Sequence, residues 1–146
     1  MYVVIIVFLV GFTILSMSKR TEAPDQDSTK PQQVQPITTD DIVVNSPLPG
    51  TIIKSGTLTV SGEARGTWYF EASAPFEVVD ADNKVIAVNH VNALGEWMTT
   101  QFVPFAGTIE VTVPEHVTSG YVVFKNDNPS DDRSRDKEVR VPVVFQ

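Results

Sequence analysis

Hydrophobic positions change their spacing twice along this chain. Residues 2–17 are almost wholly Val, Ile, Phe and Leu, broken only by Gly11, Thr13 and Ser16. Such a run follows neither the period of a strand nor that of an amphipathic helix, and it reads as an apolar, membrane-directed helix. A spanning helix takes about 20 apolar residues and the core of a signal peptide about 7 to 15. Residues 1–17 are therefore predicted to be a transmembrane anchor or, where Ser16-Met17-Ser18 offers small residues for cleavage, a signal peptide. Lys19 and Arg20 follow this run and would bias the remainder towards the cytoplasm, but two charges are a weak signal. Residues 18–40 are rich in Thr, Glu, Pro, Asp, Gln and Ser, too polar to offset the entropy of ordering, and are predicted to be a disordered linker.

From residue 41 the pattern becomes short β-branched runs separated by turn residues, which predicts an all-β domain over 41–146. Strands are expected at 42–44, 51–53, 58–64, 76–79, 85–88, 97–103, 108–113, 121–125 and 138–145. Leu58, Val60, Gly62 and Ala64 share one face, as do Val139, Val141, Val143 and Phe145. Asp80-Ala81-Asp82-Asn83 marks a tight hairpin, and Pro142, which has no N–H, points to an edge or a bulge. Short strands at this density describe an immunoglobulin-like antiparallel β-sandwich, here preceded by the apolar helix and the disordered linker.

Composition narrows the chemistry. A net charge of −7 opposes binding to phosphate backbones, so nucleic acid is not an expected partner. The chain has no cysteine, which removes disulfides, thiolate metal sites and a Cys nucleophile. His90 and His116 lack zinc-ligand spacing, and neither Ser61 nor Ser119 lies in a Gly-x-Ser-x-Gly elbow. Glu63 with Glu71 could be imagined as a glycosidase pair, but among 18 acidic residues some pair is inevitable. The acidic stretches 80–83 and 127–132 could offer calcium oxygen ligands, and turn chemistry accounts for them equally well. No enzyme activity, cofactor or metal is expected.

Four stretches carry a resemblance: Ser46-Pro47-Leu48-Pro49-Gly50, the run 60–71 (VSGEARGTWYFE), Gly95-Glu96-Trp97 and Asp127-Asn128-Pro129-Ser130. Together with the Val141-Pro142-Val143 ending, the chain from about 42 to 145 resembles the immunoglobulin-like domain associated with bacterial spore germination proteins. That resemblance implies a bacterial, extracytoplasmic, non-enzymatic module supporting interactions at the cell envelope.

Within this frame, Arg65 and Glu71 flank an aromatic run and are predicted to form a structural ion pair across the loop. Trp68, Tyr69, Asp127 and Asn128 are the candidates to face a ligand, although tryptophans in a sandwich are more often core. The expected function is a non-catalytic extracytoplasmic binding or adhesion module, held at the cell membrane by a single N-terminal pass, or secreted if that segment is cleaved. Its expected partners are the membrane, through the N-terminal segment, and an unidentified envelope protein or polysaccharide. The alternative is a structural spacer or assembly domain of an envelope complex, including one of sporulation or germination.

Overall fold

The structure, a computed structural model, describes residues 33–146. The predicted anchor or signal at 1–17 and the linker up to residue 32 lie outside the described residues. Among the described residues no helix is long and apolar enough to cross a membrane.

Among the described residues there are nine strands: β1 (Ile37–Thr38), β2 (Ile42–Ser46), β3 (Thr51–Ile53), β4 (Gly56–Arg65), β5 (Ser73–Asp80), β6 (Val85–Ala93), β7 (Phe102–Val111), β8 (Ser119–Lys125) and β9 (Glu138–Phe145). They are hydrogen-bonded in the order β1-β2-β4-β7-β6-β5-β8-β9-β3. The half β1-β2-β4-β7 joins the half β6-β5-β8-β9-β3 where Asn92 and Ala93 pair with Ala106 and Phe105. The inward faces of the two halves form one core. Phe105 of the first half meets Phe124 of the second at 5.7 Å between ring centroids, and Phe124 stacks on Phe76 at 5.8 Å. Val60, Gly62 and Ala64 are buried as their alternation predicts, and so are Val141, Val143 and Phe145, while Leu58 and Val139 are partly buried. At Gly62 a Cβ would collide with the Val43 carbonyl and the Phe105 ring, so only glycine lets β2 and the core aromatic close on β4.

Four expectations are corrected. The linker ends earlier than residue 40, because Ile37 and Thr38 pair with Val44 and Val43. Thr39 locks the following turn through its Oγ1, which donates to the Ile42 carbonyl and accepts from the Ile42 N–H, both at 3.1 Å. The sheet is not wholly antiparallel, since β3 runs parallel to β9 from Thr51↔Val143 to Ile53↔Phe145. The strand predicted at 85–88 continues to Ala93.

The fourth correction concerns the strands predicted at 97–103 and 108–113, which are a single strand, β7. It pairs with β4 without interruption from Gly56↔Val111 to Arg65↔Phe102. Pro104 does not break it because its carbonyl accepts from Leu94 on the β6 side. The N and C=O of a strand residue point the same way, so the missing N–H also faces away from β4. Pro142 behaves alike: its carbonyl accepts from the Gly50 N–H at 2.8 Å, on the side away from β8.

The strand directions sort the connections into two poles. Segments 39–41, 66–72, 94–101 and 126–137 gather at one pole; segments 54–55, 81–84 and 112–118 lie at the other, where the Gln146 N–H bonds the Ile53 carbonyl.

Candidate functional site

The pole bearing 66–72, 94–101 and 126–137 holds every predicted site residue. Its loops are tied together by backbone bonds. The Gly66 N–H donates to the Gln101 carbonyl at 3.0 Å, Asp127 to that of Trp68 at 2.9 Å, and Ala93 to that of Ala72 at 2.8 Å. Gly66 opens a short 3-10 turn, Gly66–Trp68. A Cβ there would strike the carbonyls of Trp97 and Thr99, so this glycine permits the close packing of the first two loops.

Beyond the turn, Phe70 and Ser73 exchange both backbone hydrogen bonds, at 3.0 and 3.1 Å, and enclose Glu71 and Ala72. Both enclosed residues have positive φ, 48° and 62°. That is the geometry of a type I′ hairpin turn, which Asn-Gly adopts readily and Glu-Ala does not.

This turn explains why the predicted Arg65–Glu71 ion pair does not form. Glu71 is carried out into solvent, whereas Arg65 donates from Nε to the Asp40 carbonyl at 3.0 Å and from an Nη to the Thr100 carbonyl at 3.2 Å. Its guanidinium also lies 4.4 Å from the Phe102 ring centroid. Arg65 is a structural clamp, but on backbone and ring instead of a carboxylate.

Trp68 and Tyr69 are each 4% exposed and belong to the core, so as candidates to face a ligand they offer little surface. The Tyr69 hydroxyl donates to the Val103 carbonyl at 2.8 Å, and burial pushes the phenol well above its usual range. Asn128 is occupied in shaping its loop. Its amide donates to the Asp132 carbonyl and to Asp136, and its carbonyl accepts from Ser130. Asp132 caps the adjoining 3-10 turn, and the Ser134 hydroxyl and then its amide hold the Asp132 carboxyl below the usual carboxylate range. Asp127 binds through its backbone N–H, and among the described residues its carboxylate has no partner.

Two clefts flank the 126–137 loop. One, of about 560 Å³, lies between it and 67–70, with Trp68, Phe70, Asp127 and Arg135 in its wall. The other, of about 590 Å³, is bordered by Lys125, Asp127, Arg133 and Asp136. Both have the size of small-molecule sites. Sequence reasoning missed Phe70 and Arg135 as cleft residues, and also Leu94 and Met98, which stand 64% and 75% exposed on the neighbouring loop. Their one signal was apolar residues beside Gly95 and Glu96 in a stretch that alternation had assigned partly to a strand.

Glu63 sits on β4 opposite Pro104 while Glu71 occupies the turn, so the two belong to different elements. The Asp80 carboxylate accepts the N–H groups of Asp82 and Lys84 at 2.9 and 2.8 Å, which gives the first acidic stretch a turn-forming role. Among the described residues no three of His, Asp and Glu gather to hold a metal.

No curated protein matches the chain. The family model for the immunoglobulin-like domain of bacterial spore germination matches residues 41–133, from the start of β2 to the loop before β9. β9 lies beyond the match yet pairs with β8 from Ser119↔Val144 to Lys125↔Glu138, so it completes the same sheet. With residues 41–133 of the 146-residue chain covered by that model, the chain belongs to the family of immunoglobulin-like domains of bacterial spore germination.

Proposed function

We propose that the chain is a non-catalytic binding module of the bacterial envelope, tethered outside the cytoplasm by the apolar segment 1–17 and acting through the loop pole. The observation that carries this reading is the exposure of Phe70, Leu94 and Met98 on loops of one pole, beside two clefts. Folding tolerates single exposed apolar residues, but three on one loop cluster supply contact area for a partner. Residues 18–32 then act as a spacer from the membrane.

A spacer or assembly role has its own support in the outer face of the second half. There Val88, Ile52 and Val144 are 61%, 54% and 39% exposed on the side opposite the core. The test compares capture of envelope fractions by the 146-residue chain with capture by Phe70→Ala/Met98→Ser and by Val88→Glu. Loss in the first variant alone supports the loop pole. Loss only in Val88→Glu moves the function to the outer face. A reporter active only after export, fused to Gln146, checks the location, and an inactive fusion overturns it.

A further inference from the structure

The cleft beside Phe70 contains three polar groups whose bonding capacity is unused. Arg135 is the first. Its neighbours are engaged: Lys137 with Asp41 at 2.6 Å, Arg133 with Asp136 at 3.4 Å, and Lys125 with Glu77 at 2.6 Å. Among the described residues the Arg135 guanidinium forms no ion pair, and only its backbone is held, by Asp132 and Asn126. The second is the Asp127 carboxylate, on the same cleft wall but not paired with Arg135.

The third is the indole N–H of Trp68. Trp68 is only 4% exposed, yet among the described residues its Nε1 has no acceptor. Since no fully buried side-chain nitrogen or oxygen lacks a partner among the described residues, this N–H must reach solvent, and Trp68 lines this cleft. A donor on a side chain fixed by the core, and left without a protein acceptor, is free to bond a ligand acceptor that enters the cleft. Phe70, 41% exposed, lines the same cleft.

Resting on the reading of the loop pole as a binding surface, we propose that this cleft binds a carboxylated oligosaccharide. Arg135 takes the carboxylate through charge-assisted hydrogen bonds. Asp127 accepts from hydroxyls, for which a carboxylate has two oxygens, and Trp68 donates to a ring or hydroxyl oxygen. Phe70 covers the apolar C–H face of a sugar ring. The separation of cation and carboxylate favours a ligand with its acid at one end and hydroxyls at the other. The net charge of −7 does not forbid this, because charges more than about 8 Å away are screened at physiological salt.

The test uses the 146-residue chain and nitrogen-resolved NMR, in which the two tryptophans give two indole signals, assigned with Trp97→Phe. The probes are a hexuronic-acid tetramer, its fully methyl-esterified form and a zwitterionic dipeptide. The acid should shift the Trp68 signal and leave that of Trp97 nearly still, and the ester should bind about tenfold more weakly. Arg135→Gln should reduce affinity for the acid to that for the ester and leave the ester unchanged. The proposal is overturned if millimolar acid leaves Trp68 unshifted, if acid and ester bind alike, if Arg135→Gln has no effect, or if the dipeptide binds more tightly. Should the acid fail while Phe70→Ala/Met98→Ser still abolishes envelope capture, the ligand class is wrong and the loop pole stands.

Discussion

Arg65 and Glu71 are six positions apart in sequence and flank one aromatic run, yet a single turn sends them in different directions. A double-mutant cycle tests this directly. Arg65→Ala should lose two backbone acceptors and the Phe102 contact, costing on the order of 1–2 kcal/mol, while Glu71→Gln should change stability by less than about 0.5 kcal/mol. The two effects should add, because the side chains do not meet; a coupling above about 1 kcal/mol in urea denaturation would restore the ion pair. The same turn supports an opposite expectation. Replacing Glu71-Ala72 with Asn-Gly relieves positive φ at two positions and should raise stability by about 1–2 kcal/mol, read as a higher midpoint at unchanged slope. Sequence could identify Arg65 as a clamp, since an arginine beside aromatics needs acceptors. It could not identify the acceptors, which are carbonyls of Asp40 and Thr100, because backbone groups carry no residue-type signal. Arg135 and Phe70 were hidden for a related reason: their place in one cleft wall follows from how two loops pack together, which residue type does not announce.

Strand alternation located most elements, and the failures occurred where proline or the lack of a clear pattern stood in for geometry. Pro104 and Gly107 bracket the gap between two predicted strands, but the N of Pro104 faces away from β4, so the ladder of β7 runs through. Residues 97–101 satisfied the expected composition of a strand and instead form the loop that packs on Gly66. β1 was lost inside a polar stretch because two residues are too few to show a period. These pairings predict unequal local stability. Amides bonded between β4 and β7 should exchange slowest, and those of the two edge elements, β1 and β3, should exchange at least about a hundredfold faster through local fraying. Hydrogen exchange with residue resolution checks this, and equal protection of β3 and β4 would mean that the edges open only with the whole domain.

At the scale of the whole molecule the two halves are held together by packing, with Phe124 at the centre between Phe76 and Phe105. Phe124→Ala should therefore destabilise the domain by about 3–5 kcal/mol, measured by urea unfolding; a cost below about 1 kcal/mol would mean that the core collapses around the gap. The four ion pairs among the described residues offer little compensation, since each has at least one side chain that is more than a third exposed. The division into poles has a further, practical consequence. β1 runs towards the turn at 39–41, so the chain enters it from the opposite side, and Gln146 is bound beside Ile53 on that same side. Anchoring the domain through Gln146 to a sensor chip or a bead therefore orients the immobilised layer, with every copy turning its 66–72 and 126–137 loops towards the flowing sample. Coupling through Lys137, at the opposite pole, would bury those loops against the support and silence the surface.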